Sequence, residues 1–267
     1  MKLCVCGKGG SGKSTVVSLL AVGFRQQGRE VVVLDSDESN TSLYWMLGCA
    51  APPRPLLELA GGRKRVQQGM LQRFSKGEDE PRMSIWEMET ITSRSIPPDY
   101  VVQQDGIRLV ATGKIHQALE GCACAMGTVS REFLKLFRTL DSEVLLADME
   151  AGIEHFGRGI ESGVDGVIAV VEPSLESISL AHKVMELSLA SGAAFWGTVL
   201  NKVASPEQGR QLREQLTERE VPMLGVITFH PALQSACLRG RPVTGSMCPE
   251  LGEIRDALTA IASGAKR

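Results

Sequence analysis

The sequence predicts an α/β fold: one domain on a mostly parallel central sheet, with helices on both faces. Two observations carry that expectation. Short runs of Val, Ile and Leu without polar alternation recur along the chain, the pattern of strands covered on both sides. Helix-length segments separate several of them, and that alternation means βαβ units with right-handed crossovers.

In order, Leu3 to Cys6 reads as the first strand, Lys13 to Gln27 as the first helix and Val31 to Leu34 as the second strand. Residues 49–100 break the rhythm. They carry Pro52, Pro53, Pro55, Gly61, Gly62, Pro81, Pro97 and Pro98, and so read as an irregular insertion with one or two short helices and a hairpin ahead of Gly106 to Ala111. The basic patch Gly62 to Arg65 inside it reads as solvated surface. A helix follows from about Thr128 to Thr139. Val144 to Ala147, Val167 to Val171, Thr198 to Leu200 and Gly225 to Thr228 read as buried strands, and Leu175 to Ser191, Pro206 to Arg219 and Pro249 to Ala262 as helices.

Composition narrows the function classes. The 267 residues hold 29 Lys plus Arg against 31 Asp plus Glu, a net charge of −2. That balance gives no global field for nucleic acid or a membrane surface. No apolar run approaches the ~18 residues of a spanning helix. Met1 to Cys6 runs straight into a Gly-rich loop rather than reading as a signal peptide, so cytoplasm is the expected compartment. Seven Cys, an odd number, favour reduced thiols, core residues or metal ligands over a disulfide framework.

Gly7-Lys8-Gly9-Gly10-Ser11-Gly12-Lys13-Ser14 fits the phosphate-loop pattern G-x-x-x-x-G-K-[ST], between a strand and a helix as that motif requires. Glycines let successive N–H groups converge on phosphate oxygens, and the helix N-terminus adds positive potential there. Lys13 would reach the β- and γ-phosphates of ATP, and the Ser14 hydroxyl would ligate Mg²⁺; Thr15 completes the nucleotide-binding set. Lys8 is a second lysine in a loop that needs one in cis. It either projects across a dimer interface to the partner's nucleotide, as an arginine finger does in trans, or is simply solvent-exposed.

The second strand ends in Asp35 and Asp37, and the strand Val144 to Ala147 ends in Asp148. Carboxylates at the C-terminal edge of a parallel sheet lie where ligands bind. Asp148 stands where the Mg²⁺ shell is expected, and Asp35 is a further candidate for it. Asp37 is preferred for orienting the attacking water; its bland alternative is a turn cap. Gly152, Gly157 and Gly159 give the segment after Asp148 freedom to sense a γ-phosphate. His155 within it reads as structural. Asn201, at the end of another strand, offers an amide to a base edge.

Two Cys-x-Cys pairs occur. Cys4 and Cys6 sit in the first strand and read as small core residues. Cys122 and Cys124 lie just ahead of the helix at Thr128, where a helix N-terminus favours thiolate. Two thiolates cannot close a four-ligand site, but two copies of the pair in a symmetric dimer can, for Ni²⁺ or Zn²⁺. Met126 reads as packing.

Taken together, Lys8, Lys13, Ser14, Asp35, Asp37, Asp148 and Asn201 resemble the deviant Walker A P-loop NTPases, the family of MinD, ParA and the nitrogenase iron protein. Within it the sequence is most similar to the CooC-type ATPases that assist nickel insertion into carbon monoxide dehydrogenase. That match rests on Gly121-Cys122-Ala123-Cys124, on Asp148 to His155 with Gly157-Arg158-Gly159, and on Val171-Glu172-Pro173-Ser174. The resemblance implies an ATP-hydrolysing homodimer in which Lys8 acts in trans, Asp37 positions water, Asn201 contacts adenine, and Cys122 and Cys124 bind one Ni²⁺ or Zn²⁺ per dimer. The implied client is a nickel enzyme, carbon monoxide dehydrogenase or acetyl-CoA synthase, with no nucleic-acid or membrane partner. The loop from Thr228 to Leu233 would border the adenine, with no role carried onto His230. Two other readings stay open: a [4Fe–4S] redox or carrier protein like the nitrogenase iron protein, and a partitioning ATPase on DNA or membrane. The small, weakly apolar end from Thr259 to Arg267 disfavours membrane docking.

Overall fold

The computed structural model describes residues 1–75, 86, 88–115, 124–140, 142–154, 156, 159 and 163–264. Its centre is an eight-stranded sheet with the order β3-β4-β2-β5-β1-β6-β7-β8. The strands are β1 (Lys2–Gly7), β2 (Glu30–Asp35), β3 (Val102–Gln104), β4 (Ile107–Ala111), β5 (Glu143–Asp148), β6 (Gly166–Val171), β7 (Phe195–Val203) and β8 (Met223–Thr228). Every neighbouring pair is parallel except β3 with β4. That exception is a hairpin, but one that follows residues 49–100 and takes in the strand Ile107–Ala111 rather than lying ahead of it. Its two-residue turn is Asp105-Gly106, with φ of +50° and +78°, the mirror-image turn that matches strand twist and that an Asp-Gly pair adopts readily.

Strand side chains alternate between two apolar layers, as a period of two demands. Cys4, Cys6, Val32, Leu34, Leu145, Ala147, Val167 and Ala169 pack on one face. Leu3, Val5, Val31, Val33, Val144, Leu146, Ile168 and Val170 pack on the other. Both layers need a helical cover. α3 (Leu56–Leu59), α4 (Gly62–Ser75), α5 (Cys124–Leu136), α6 (Leu175–Ala190) and α7 (Pro206–Thr217) supply the first. α1 (Lys13–Gln26), α2 (Leu43–Met46), α8 (Pro231–Leu238) and α9 (Leu251–Ala262) supply the second. Cys4 and Cys6 are fully buried on one face with their sulfurs 3.9 Å apart, as expected of core residues.

Three local expectations need correcting. The segment Thr228 to Leu233 is not all loop: α8 begins at Pro231, whose fixed φ suits a first helical position and whose missing N–H costs the helix nothing there. α5 begins at Cys124, about a turn earlier than Thr128, because Ala125, Met126 and Val129 continue its buried face. Within 49–100 one helix is longer than the short ones expected: α4 runs 14 residues, anchored by the fully buried Val66, while Lys64 and Arg65 of the basic patch are exposed as expected. Gly121, Cys122, Ala123, His155, Gly157 and Arg158 lie outside the described residues. Among the described residues no helix is long and apolar enough to cross a membrane.

Candidate nucleotide site

β1 delivers the phosphate loop to the C-terminal edge of the sheet, and α1 leaves that edge at Lys13. The turn into the helix needs φ +95° at Gly12, a left-handed conformation that an L side chain resists. A Cβ there would also lie 2.3 Å from Asn201 Nδ2. The loop is braced from its outer side. Asn201, buried in the last third of β7, donates to the Ser11 carbonyl at 2.8 Å, and Lys202 Nζ donates to the Gly10 carbonyl. Gly12 gives α1 no side-chain cap. The N–H groups of Lys13, Ser14 and Thr15 therefore have no intrahelical acceptor and remain for an anion. Lys13, the first residue of α1, is buried.

The carboxylates converge as the parallel register dictates. Asp35 and Asp148 are paired neighbours across β2 and β5. Asp148 is fully buried, and Ser14 Oγ donates to its Oδ2 at 2.5 Å. Its Oδ1 is buried with no hydrogen-bond partner among the described residues. Burial first, and the charge of Asp35 next, push its carboxyl up to about 7. An orphaned carboxylate oxygen beside a serine hydroxyl is a donor set that suits a hard cation, so the residues present fit Mg²⁺.

Asp35 itself points elsewhere. Lys114 Nζ lies 2.7 Å from its Oδ1 and also donates to the Asp37 carbonyl. Even with that ammonium in contact, burial holds the Asp35 carboxyl at about 6. β2 ends at Asp35, so Asp37 falls in the loop. Its Oδ1 accepts from Ser39 N at 2.9 Å, Ser39 Oγ at 2.6 Å and Asn40 N at 3.2 Å, which is the turn-capping geometry of an Asx motif. All three contacts use Oδ1.

Several residues at this site had no role in the sequence reading. Asn40 Nδ2 donates to Ser14 Oγ at 2.5 Å, closing a chain from the loop after β2 to Asp148. Lys114 follows β4 at the same sheet edge, a position that alone could have marked it. Glu172 bridges Lys8 at 3.6 Å and Lys202 at 3.2 Å, and Glu176 reaches Lys8 at 2.8 Å. Lys8 is thus held within its own chain by two acids at the start of α6. The Gly-rich segment after β5 rests on the loop as well, with Gly152 N donating to the Gly7 carbonyl at 3.2 Å.

A loop of free amides on a helix N-terminus, a buried lysine and a serine–aspartate pair define an ATP-binding P-loop protein. Similarity to known proteins narrows the class. The chain belongs to the CobQ/CobB/MinD/ParA nucleotide binding domain family, whose model matches residues 3–243. It is 40% identical over 258 residues to an uncharacterized ATP-binding protein of Methanocaldococcus jannaschii, covering 97% of this chain and 98% of that one. It is 32% identical over 240 residues to the carbon monoxide dehydrogenase accessory protein CooC of Rhodospirillum rubrum, covering 88% and 86%. The fold matches the septum site-determining protein MinD of Pyrococcus horikoshii, solved with Mg-ADP. The TM-score is 0.68 at 18% identity, with 100% and 98% of the chains covered.

Proposed function

We propose that this protein is an ATP-hydrolysing, homodimeric metallochaperone that assists nickel insertion into carbon monoxide dehydrogenase or a related nickel enzyme such as acetyl-CoA synthase. The observation that carries the reading is the position of Cys124. It is the first described residue of α5, half-buried, and α5 follows β4 in a parallel sheet. Its N-terminus therefore opens on the same sheet edge as the phosphate loop, and a helix N-terminus favours thiolate. The 32% identity to a carbon monoxide dehydrogenase accessory protein supports the same client class.

In this reading Cys122 and Cys124 of two copies bind one Ni²⁺ or Zn²⁺ as cargo. ATP favours the closed dimer because Lys8 exchanges Glu172 and Glu176 of its own chain for the partner's γ-phosphate, a contact made only when closed. Gly9, Gly10, Ser11, Gly12, Lys13, Ser14 and Thr15 cradle the phosphates, and Asn201 fixes the loop at the adenine side. Ser14 and Asp148 would hold Mg²⁺, with Asp35 on the neighbouring strand adding negative charge to the site, and the ion would neutralise charge on the triphosphate. Asp37 orients a water for in-line attack on the γ-phosphorus, with ADP as leaving group. Release of phosphate then loosens the loop after Asp35 and the segment resting on Gly7.

The test is metal analysis per dimer with and without a non-hydrolysable ATP analogue. One Ni²⁺ per dimer, raised by the analogue and lost in Cys122→Ala with ATP binding intact, is the expected result. Undiminished Ni²⁺ in that variant rejects the cysteine site. Lys8→Ala is expected to lower ATP turnover on the order of 10³-fold, the lower range for a trans-acting cation, and to abolish nucleotide-linked dimerisation with the circular dichroism spectrum unchanged. Turnover at the wild-type rate means that Lys8 is not the trans cation.

A further inference from the structure

The end of β8 and the approach to α9 bring together three side chains of different chemistry, none of them part of the phosphate loop. His230 Nε2, Cys248 Sγ and a Glu250 carboxylate oxygen all lie within 4.8 Å of one another. His230 is the residue before α8, and Cys248 and Glu250 precede α9. We propose that these three residues form a binding site for one thiophilic divalent ion, Zn²⁺ by its donor preference, on each copy of the chain and separate from the Cys122 and Cys124 pair.

The geometry is close to what such an ion asks for. Zn²⁺ takes nitrogen at about 2.0–2.1 Å, oxygen at about 2.0–2.2 Å and sulfur at about 2.3 Å, usually as a tetrahedron, so its ligand atoms sit roughly 3.3–3.7 Å apart. Cys248 Sγ is 3.6 Å from Glu250 Oε2. His230 Nε2 is 2.9 Å from the same oxygen, a hydrogen bond that needs only a small side-chain rotation to open to a ligand–ligand edge. A mixed nitrogen, sulfur and carboxylate set favours Zn²⁺ over Mg²⁺ or Ca²⁺, which prefer all-oxygen shells.

The surroundings are built rather than incidental. Glu250 stands at the N-cap of α9 yet makes no capping bond to its own helix. It turns instead to Thr228, whose hydroxyl donates to Glu250 Oε1 at 2.6 Å and whose N–H donates there at 3.2 Å. That pair fixes one carboxylate oxygen and aims the other at His230 and Cys248. A metal-bound carboxylate is commonly oriented by such an outer hydrogen bond. Cys248 is 1% exposed, so its sulfur is shielded from bulk oxidants, while the partly exposed His230 and Glu250 leave an entry path. Three protein ligands leave a fourth position for water or the Thr228 hydroxyl, the pattern of an exchangeable rather than a closed site. An ion there would tie the β8–α8 corner to the start of α9. α8 in turn touches the nucleotide helix, with Cys237 Sγ 3.9 Å from Thr15 Oγ1.

The experiment is Co²⁺ and Zn²⁺ titration of the nucleotide-free full chain carrying Cys122→Ala and Cys124→Ala. The expected result is one Co²⁺ per chain with a thiolate-to-cobalt charge-transfer band and tetrahedral d–d absorption, displaced by Zn²⁺. His230→Ala and Cys248→Ser in that background should weaken Zn²⁺ binding roughly 100-fold or more, since even outer-shell changes cost about 10–100-fold. Should Cys248→Ser or the double-alanine background fold poorly, His230→Ala in the wild-type chain gives the same answer by difference, losing one Co²⁺ equivalent per chain. Absence of the charge-transfer band, or Zn²⁺ affinity unchanged by His230→Ala, overturns the site. Because the readout needs neither ATP nor the Cys122 and Cys124 pair, it is independent of the metallochaperone reading.

Discussion

Gly12→Ala is expected to abolish ATP binding and to destabilise the nucleotide-free chain by about 2–6 kcal/mol. Two costs add. A left-handed backbone at φ +95° penalises an L side chain by about 1–3 kcal/mol. The new methyl would sit 2.3 Å from Asn201 Nδ2 and push that amide off the Ser11 carbonyl, leaving a buried acceptor unpaired at about 1–3 kcal/mol. The flexible end of Asn201 can give way, but only by releasing the brace that holds the loop open to phosphate. Urea denaturation measures the first effect, and titration with a fluorescent ATP analogue the second. Adding Asn201→Gly separates the two costs: the clash is gone and the backbone strain stays, so stability recovers in part and nucleotide affinity does not. Wild-type affinity in Gly12→Ala would falsify the loop geometry.

Asp148→Asn is expected to do the opposite to stability while weakening Mg²⁺-dependent nucleotide binding. Asp148 is fully buried with one oxygen unpartnered among the described residues, and its carboxyl is pushed up to about 7 from 3.8. The sign follows from proton counting. The folded state holds a proton that the unfolded chain releases between those two values, so folding stability falls as pH rises from about 4 to about 7 and levels off above. Asparagine removes that slope but leaves an amide donor without an acceptor, which returns about 1–2 kcal/mol of the gain. The net expectation is about 2–3 kcal/mol more stability at pH 8 and about 1–2 kcal/mol less at pH 4, where only the amide cost remains, read from denaturation midpoints at both. In parallel, the rise in midpoint that Mg-ATP gives the wild type should shrink in the variant, because the residue that fits the cation has lost its charge. Equal stability of the two proteins at pH 8 would show that the Asp148 charge is compensated in the folded chain. Such a group, costly to the empty fold and useful only with ligand bound, is a common mark of a functional site.

The two predictions differ in how far the sequence alone could reach them. Gly12 and Lys13 were legible because a phosphate loop is a contiguous pattern whose residues act through local backbone geometry. Asp35 and Asp148 were legible as candidates because an acid ending an apolar strand must stand at a sheet edge. What the sequence could not supply was the partner of each. Lys114 lies far from Asp35 along the chain and meets it only because β4 pairs with β2. Asn40 meets Ser14 only because the loop after β2 folds back over α1. Asp37 is the opposite case: its contacts here are the short-range turn bonds to Ser39 and Asn40, neighbours along the chain.

His230, Cys248 and Glu250 show the same limit more sharply. They come from two segments, His230 ahead of α8 and Cys248 with Glu250 ahead of α9, and no spacing rule joins the histidine to the other two. By itself the sequence determined the fold class, because alternation of apolar strands and helices leaves a parallel sheet covered on both faces as the stable solution, and it determined the phosphate loop, because that chemistry is written within eight consecutive residues. Tertiary structure alone decided which cation neutralises which buried acid, which carbonyls brace the loop and which donors could share an ion. Those contacts depend on strand order and on how helix ends meet at the sheet edge, and burial makes each of them energetically large.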